Sequence, residues 1–237
     1  SRRQRQMCIR DRRKFLPGRE RRTAMSLMLD HTEDFELISE NKEKFKSARW
    51  NVLKRVGGEK EYQTRFKALY SKTGIYFLAE CADSEITSTL KNDGEDLYTE
   101  DVLEFFVQPD RRYPVYLEYE LSPRNRELVL MVSHNGAKFY GWTPFHYTGE
   151  RKTAHIVWND MHRPESSDAF SLWGGMIYLP FVLFEGVAEH IPQSGDVWYG
   201  NIFRIDYDGG EISRYAFAPG CGTEFHDFRK FEEILFL

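Results

Sequence analysis

The sequence predicts an all-β protein, built as an antiparallel β-sandwich of the jelly-roll or immunoglobulin type. Aromatic residues make up 15% of its 237 residues, and large rings pack well on pleated sheet surfaces. Short segments that alternate apolar and polar residues follow one another with turn residues between them, which is typical of sandwich strands. No stretch of about twelve or more residues has the 3.6-residue period of an amphipathic helix, so an α/β fold is not expected.

The strand candidates follow one another at short intervals along most of the chain. They are Arg65–Tyr70, Ile75–Ala82, Val102–Val107, Tyr116–Leu121, Glu127–Ser133, Ala154–Trp158, Gly175–Leu179, Val197–Tyr207, Ser213–Ala218 and Glu233–Leu237. Ser71–Gly74 and Asp208–Gly210 are predicted to be tight hairpin turns, because glycine adopts the positive φ angles that such turns favour.

Four other segments complete the predicted organisation. Phe35–Ile38 is predicted to be a short strand and Glu40–Lys46 a helical turn. Asp83–Asp96 is a polar loop, and Phe139–Ser171 is a long irregular segment. Long loops in compact domains often carry function, although an insertion packed on the sandwich is an equally good interpretation.

The first 22 residues differ in charge from the rest of the chain. They contain ten Lys or Arg and two acidic residues, whereas residues 23–237 contain 23 basic and 35 acidic residues, so the net charges are +8 and −12. An acidic body argues against a nucleic-acid partner, because phosphate binding needs a basic surface. The basic segment itself could be a nucleic-acid arm, a targeting segment or a disordered tail.

Met7–Asp11 favours a different interpretation of this segment. The codons ATG-TGT-ATA-AGA-GAC encode these five residues and resemble the end of a transposon-based sequencing adapter. We therefore predict that residues 1–22 are a non-native or disordered leader, and we exclude them from the fold. Residues 23–34 are then a polar leader, and residues 35–237 form a single domain.

The cysteines and the N-terminus predict no single compartment. Apart from Cys8, the chain has only Cys81, expected to be a small core residue, and Cys221, and two cysteines define no disulfide framework. No signal peptide is visible, and a true start at Met25 or Met28 would give a cytoplasmic protein. No apolar run reaches the roughly 18 residues of a membrane span, and no feature predicts an oligomeric state.

The segment from residue 96 to residue 110 carries the clearest functional signal. Every residue of the strand Val102–Val107 is apolar except Glu104. Alternation places Glu104 on the sheet face opposite to Leu103 and Phe105, and Tyr98 shares the parity of Glu104 near the strand entry. An aromatic ring and a carboxylate on one sheet face suit a flat, hydroxyl-rich ligand such as a sugar.

A second strand repeats this pattern. In the segment Tyr116–Pro123, Glu118, Glu120 and Ser122 share one parity. If this strand neighbours Val102–Val107, three carboxylates line one face, and Lys or Arg partners, a cation or ligand hydroxyls must offset their repulsion. The alternatives are a solvated face of paired acids, and glycoside hydrolysis, which needs two carboxylates about 5–10 Å apart.

The C-terminal segment Tyr215–Phe231 ends in a cluster of aromatic residues. Phe225 and His226 could form a second aromatic wall at a loop tip. Phe228 is expected to help plug the end of the sandwich, together with Phe231 at the end of the segment.

No motif predicts a catalytic nucleophile, a phosphate loop or a zinc site. The histidines lack HxH and i, i+4 spacing, and no Gly-rich phosphate loop or G-x-S-x-G sequence occurs. Asp83, Asp93, Glu95 and Asp96 offer hard oxygen ligands of the kind calcium prefers, but they do not match an EF-hand loop. A polar loop is the simpler interpretation.

Six segments in a fixed order carry a family resemblance. They are Arg65–Asp83, Tyr98–Phe106, Tyr116–Pro123, Ile177–Pro180, Trp198–Asp206 and Phe225–Phe231. Together they resemble carbohydrate-binding module family 9 and its relatives in the DOMON-like sandwich group. The resemblance implies a β-sandwich without catalytic activity, often attached to enzymes that degrade xylan or cellulose, which would make it secreted or periplasmic.

The resemblance also implies a set of ligand contacts. Tyr98 and Phe225 correspond to two rings that clamp a sugar chain end, and both positions are Trp in the well-known sugar binders. Glu104 matches a hydrogen-bonding acid, whereas Glu120 and Ser122 fall on positions that carry Arg and Asn in those binders. The predicted ligand-binding residues are Tyr98, Glu104, Glu120, Ser122, Phe225 and His226.

The expected partner is a carbohydrate, such as the end of a xylan or cellulose fragment, and the expected link is to polysaccharide catabolism. No cofactor is expected apart from structural calcium. A haem-binding DOMON-like domain is one alternative, which needs axial ligands such as Met131 or Met176 with a histidine. A hydrolase-associated domain with weak activity of its own is another.

Overall fold

The computed structural model describes residues 26–159 and 171–237, which form fourteen β-strands and six short 3-10 helices. The strands are β1 (Leu27–His31), β2 (Asn51–Val52), β3 (Lys54–Gly57), β4 (Thr64–Tyr70), β5 (Gly74–Asp83), β6 (Val102–Gln108), β7 (Val115–Leu121), β8 (Glu127–His134), β9 (Phe139–Pro144), β10 (Ala154–Asn159), β11 (Ser171–Pro180), β12 (Val197–Asp208), β13 (Glu211–Ala216) and β14 (Glu232–Phe236). The 3-10 helices are Ser39–Phe45, Leu97–Thr99, Gly149–Arg151, Phe181–Phe184, Pro219–Cys221 and Phe228–Lys230. None of the described helices is long and apolar enough to cross a membrane.

The front sheet has the antiparallel order β9–β8–β7–β6–β12. The twelve-residue strand β12 is long enough to pair with β14 along its first part and with β13 along its last part. Strand β3 pairs with β13 and extends the sheet by one more strand. Gly200 of β12 pairs with Val107 of β6, and a Cβ on Gly200 would collide with the backbone oxygen of Phe106. Glycine therefore permits the close approach of these two central strands.

The back sheet has the antiparallel order β10–β11–β5–β4, with β2 beside β4. Strand β1 joins the two sheets. Its first part, Leu27 to Leu29, runs parallel to β14, and its last part, Asp30 and His31, runs parallel to β4. The expectation of an entirely antiparallel sandwich is wrong at this strand, and part of the predicted polar leader 23–34 belongs to the fold.

The main core fills the space between the sheets. Leu103 and Phe105 of β6 and Leu117 and Tyr119 of β7 are fully buried there, as the alternation predicts. The ring centroids of Phe105 and Phe77, a β5 residue, lie 4.6 Å apart across the interface. The opposite parity of β6 and β7 therefore lies on the outer face of the front sheet, where Glu104 was expected.

Most predicted strands occur, with bounds within a few residues of those expected. Glu40–Lys46 is also helical, as part of the 3-10 helix Ser39–Phe45. The predicted strand Phe35–Ile38 is wrong, because the Phe35 ring is anchored by stacking on Tyr76 at 4.1 Å and the segment pairs with no strand. The predicted irregular segment contains β9 and part of it lies outside the described residues, as does the whole leader 1–22.

The two predicted hairpin turns differ in their backbone. Gly209 and Gly210 have φ angles of 60° and 88°, as the Asp208–Gly210 turn requires. Gly74 has no positive φ angle, so that expectation is wrong. Glycine is needed there for space instead, because a Cβ on Gly74 would lie 2.5 Å from both the Leu179 carbonyl oxygen and the Tyr178 ring.

Candidate ligand-binding site

Three carboxylates lie together on the outer face of the front sheet. Glu104 on β6 stands directly opposite Glu120 on β7, and Phe106 stands opposite Glu118 in the next register position of the same face. Directly opposed side chains in an antiparallel pair have Cβ atoms about 4.5–5.5 Å apart. The pairing of β6 with β7, which the sequence could only assume, therefore brings the carboxyl groups into one cluster.

A second hydrophobic cluster covers this face. Its sheet residues include Val102 and Phe106 of β6, and its cover comes from the segment after β13. The Phe225 ring stacks on Phe203 of β12, with centroids 4.1 Å apart and an angle of 15° between the planes. Because this cover excludes water, the carboxylates below it are buried although they lie outside the main core.

The cover leaves one opening above the carboxylates, a pocket of about 180 Å³. Glu104 and Glu118 lie at its floor. Four rings form part of its walls, those of Tyr98, Trp142, Phe225 and His226, and the rest of the lining is Leu130, Ile205, Thr223 and Glu224. A small pocket that combines ring faces with a few polar groups is the usual form of a ligand site.

The aromatic walls have a definite geometry. The Trp142 and His226 rings are nearly parallel, with an angle of 7° between their planes and centroids 5.9 Å apart. Tyr98 meets Trp142 edge to face, with centroids 6.2 Å apart. Trp142 is 47% exposed, so its ring is available to a ligand that enters from solvent.

Burial dominates the electrostatics of the three carboxylates. Glu104, Glu118 and Glu120 are 2%, 4% and 0% exposed. Neither oxygen of Glu120 has a hydrogen-bond partner, and one oxygen of Glu118 has none. Burial raises the pKa of Glu118 to about 8. Burial, and then repulsion between the carboxylates, also hold the pKa of Glu104 and Glu120 well above the ordinary value of a glutamate.

His226 is a neutral member of the pocket wall. Burial lowers the pKa of its imidazole to about 4. Its Nδ1 shares a hydrogen bond of 2.7 Å with the Tyr116 hydroxyl and lies 4.0 Å from an oxygen of Glu118. The uncharged ring therefore supplies a flat surface and does not neutralise the carboxylates.

A separate buried cluster tests the expectation of structural calcium. Asp83, Asp101 and Asp206 bring one carboxylate oxygen each within 4.8 Å of one another. The buried Arg204 guanidinium already binds Asp83 at 2.8 Å and also binds Asp206, and both oxygens of Asp101 accept backbone N–H groups at 2.7 Å. Calcium needs six to eight free oxygen ligands, so these residues do not fit the ion.

Two of the predicted calcium candidates in the polar loop, Asp93 and Glu95, accept hydrogen bonds from backbone N–H groups. Glu95 accepts hydrogen bonds from the backbone N–H groups of Lys91 and Asn92, both at 2.8 Å. Asp93 accepts one from the backbone of Glu127 at 3.2 Å. These contacts are those of an ordinary polar loop, the simpler of the two interpretations.

A larger open cleft of about 490 Å³ lies between the turn after β6 and the start of β12. Of its two arginines, Arg112 contacts Asp110 at 2.5 Å and Glu189 at 2.6 Å, and Arg111 donates a hydrogen bond to the Phe231 carbonyl at 2.9 Å. Because these charges pair with one another, the cleft offers a ligand fewer unsatisfied groups than the smaller front-sheet pocket.

Solved structures share this architecture. A protein from Bacteroides uniformis ATCC 8492, provisionally described as carbohydrate-binding, superposes with a TM-score of 0.68 at 14% identity over 90% of this chain and 100% of that chain. A family 9 carbohydrate-binding module from Caldicellulosiruptor kristjanssonii in complex with glucose gives a TM-score of 0.61 at 14% identity, over 90% and 95% of the two chains. The chain has the fold of a family 9 carbohydrate-binding module.

A family 9 module from the same organism in complex with cellotriose gives a TM-score of 0.58 at 12% identity, over 89% of this chain and 93% of that chain. No protein-family sequence model matches the chain, and no curated protein matches it in sequence. The predicted resemblance to family 9 and the all-β sandwich are thus confirmed for the fold. The jelly-roll or immunoglobulin subtype stays a prediction.

The family 9 fold brings four of the six predicted site residues together, because Tyr98, Glu104, Phe225 and His226 all line the pocket. The other two, Glu120 and Ser122, do not line it. Glu120 lies beneath the surface, and the Ser122 hydroxyl accepts the backbone N–H of Arg126 at 3.3 Å. Phe225 is only 7% exposed, so most of its ring is core. Phe228 and Phe231 are buried, as the sequence predicts.

Two wall and floor residues are absent from the predicted set. Trp142 lies on β9, inside the segment that the sequence left irregular. Glu118 has the parity of Glu120, but only the pairing with β6 shows that it is the one at the opening. Phe139, Gly141 and Thr143 alternate along the chain with Tyr140, Trp142 and Pro144. This pattern does not set an apolar face against a polar one, so the strand signal is too weak to have found Trp142.

Proposed function

We propose that this protein is a non-catalytic carbohydrate-binding domain that holds a sugar chain end in the front-sheet pocket. The observation that carries the proposal is a single opening with aromatic walls, Trp142 and Tyr98 among them, above the polar floor of Glu104 and Glu118. The sugars bound by two solved structures of the same fold, glucose and cellotriose, support the ligand class.

The rings and the floor supply complementary contacts. A pyranose ring has apolar C–H faces that suit the exposed Trp142 ring, while Tyr98 closes the side at 73° to it. Hydroxyl groups of the sugar would exchange hydrogen bonds with Glu104 and Glu118. A shallow site of this kind binds weakly, at roughly micromolar to millimolar Kd.

The size of the pocket favours a chain end. Its volume is about 180 Å³. That space suits one sugar unit rather than several in a row. We extend the proposal to ends of plant polysaccharides such as xylan or cellulose fragments, with a role in their catabolism and with no cofactor in binding.

Hydrolysis by this domain is less well supported. Glycoside hydrolysis needs one carboxyl group that holds its proton and another that is ionised. Burial acts on Glu104, Glu118 and Glu120 in the same direction and raises the pKa of each. These three buried acids therefore lack the contrast that would assign them the two catalytic roles.

Haem binding is also less well supported. Met176 is fully buried in a cluster of the back sheet, and Met131 packs against the main core. Neither lines the front-sheet pocket, whose volume is below the roughly 300–1,000 Å³ typical of larger ligands. A Soret band in the purified protein would contradict this conclusion.

A glycan array that includes xylan, cellulose and their oligosaccharides tests the proposal. We expect binding to glycans with accessible chain ends and its loss in Tyr98→Ala. The Tyr140→Ala variant is the control, because Tyr140 is an exposed ring two residues before Trp142 on β9 and does not line the pocket. An array without hits would refute the proposal and favour a purely structural or interaction domain.

A further inference from the structure

The carboxylates beneath the pocket lack the cation that a buried acidic cluster normally has. In the described part of the chain, no Lys or Arg lies within 4.0 Å of Glu104, Glu118 or Glu120. Arg214, on the same sheet face, acts on Glu104 only from a longer distance. Three acids without a close cation are costly to bury as charges, because each charge loses its hydration, so in the free protein these carboxyls hold protons.

The other buried acidic cluster of the described residues contains its own cation. There Arg204 is as deeply buried as Asp83 and Asp206 and binds both of them. That cluster lies inside the protein with its own arginine, whereas the front-sheet carboxylates lie below an opening to solvent. The front-sheet cluster is therefore open to a cation from outside the chain, which would replace the protons that its carboxyls hold.

The geometry favours an organic cation over a metal ion. Among the described residues, only Asp83, Asp101 and Asp206 bring three carboxylate oxygens within 4.8 Å of one another, so the front-sheet acids do not converge on a point. Aromatic faces attract ammonium groups as well as apolar ring faces. The walls of Tyr98 and Trp142 above this floor therefore suit a ligand with both features.

We propose that the pocket selects an amino sugar, with its ammonium group directed to Glu104 and Glu118 and its ring against Trp142. The proposal rests on the carbohydrate-binding function, and at the same site it favours chain ends that carry an amino sugar over the neutral ends of xylan or cellulose. Glu120 lies beneath the floor with two unpartnered oxygens and does not touch the ligand.

Ligand binding should then release protons. Burial raises the pKa of all three carboxyls, so in the free protein they hold protons that an arriving ammonium group would displace to the buffer. The other titratable or charged groups near them are Tyr98, Tyr116, Tyr207, Arg214, Glu224 and His226. A neutral sugar gives no reason for such release.

Isothermal titration calorimetry with glucosamine, glucose and N-acetylglucosamine tests this inference, because only the first carries a positive charge. At about pH 6, below the usual pKa of an amine, we expect glucosamine to bind at least about tenfold more tightly than the other two. Titrations in two buffers of different ionisation enthalpy should show proton release for glucosamine and none for glucose.

The outcomes separate this inference from the proposed function. Glu104→Gln and Glu118→Gln should abolish both the preference for glucosamine over glucose and the proton release, while Glu233→Gln, at an exposed position of β14, should change neither. Glucose binding as tight as glucosamine binding in the unaltered protein would overturn the amino-sugar inference and leave carbohydrate binding intact. Binding of none of the three sugars, together with an empty glycan array, would overturn both.

Discussion

Glu104 and Glu120 face each other across β6 and β7, both buried, and among residues 26–159 and 171–237 no lysine or arginine lies within ion-pair distance of either. Directly opposed like charges destabilise a pair of strands. The fold tolerates the arrangement because burial and mutual repulsion raise the pKa of both carboxyls, so the protein keeps them protonated rather than charged. This relationship determines how stability should depend on pH.

The first prediction concerns that dependence. Burial raises the pKa of Glu118 and Asp101 to about 8 and that of Asp83 to about 7, whereas the unfolded chain has values near 4. The folded protein therefore holds more protons between about pH 4 and 8, and the free energy of unfolding should fall as pH rises through this window. Each retained proton contributes about 1.4 kcal/mol per pH unit.

Urea unfolding at several pH values between about 5.5 and 8.5 measures this slope. Stability that stays level or rises across the range would contradict the prediction.

Glu127 should make the free energy of unfolding depend on pH in the opposite direction, which is the second prediction. Burial raises the pKa of this carboxyl, but hydrogen bonds from His155, Thr153 and Tyr147 outweigh it and lower the pKa to about 2. Its contribution to stability is present above the unfolded value near pH 4 and should be lost as pH falls toward 2. Below about pH 4, Glu127→Gln should be less acid-sensitive than the unaltered protein, as measured by circular dichroism during acid titration.

The third prediction tests the opposed pair itself. Glu120→Gln keeps the shape of the side chain and removes one of the two opposed carboxyls that take up a proton on folding, so it should raise the free energy of unfolding at pH 8 by at least about 1 kcal/mol. It should also reduce the pH slope by about one proton. Glu233→Gln on the exposed face of β14 is the matched control and should have no effect on the slope.

The fourth prediction separates Trp142 from Phe225. Trp142→Ala should weaken sugar binding at least tenfold with less than about 1 kcal/mol lost in stability, since its ring is half exposed. Phe225→Ala should cost about 3–5 kcal/mol of stability, because the ring stacks on Phe203 in the outer cluster. Calorimetric titration and urea unfolding of both variants, with Tyr140→Ala as control, give the two readouts.

If Phe225→Ala unfolds as easily as the unaltered protein and binds no sugar, Phe225 is a ligand clamp rather than a core residue.

The fifth prediction concerns Arg204. Its removal in Arg204→Met leaves the buried Asp83 and Asp206 without their cation, which should cost about 3–5 kcal/mol. The loss should be smaller at pH 5 than at pH 8, because the raised pKa of Asp83 lets it become neutral at the lower pH. A loss below about 1 kcal/mol at pH 8 would mean that the carboxylates are neutral already.

The strands and the faces of the central strands were predictable from the sequence. Strands β6 and β7 are apolar on the side of Leu103 and Leu117 and interrupted by acids on the other side, and alternation alone assigns those faces. Strand β1 was missed because two of its five residues, Asp30 and His31, are polar and its apolar pattern is short. Its pairing with two sheets depends on partners more than 200 positions away and about 40 positions away in the sequence.

The sequence by itself determined an all-β sandwich and an acidic, partly aromatic face around Glu104. Only the tertiary structure decided which acids are opposed, which one lies at the opening, and that Trp142 rather than Phe225 presents the exposed ring. The physical reason is that alternation is a local property of a strand, whereas register and cover come from segments distant in the chain. The burial that keeps Glu104 and Glu120 uncharged therefore exists only in the folded protein.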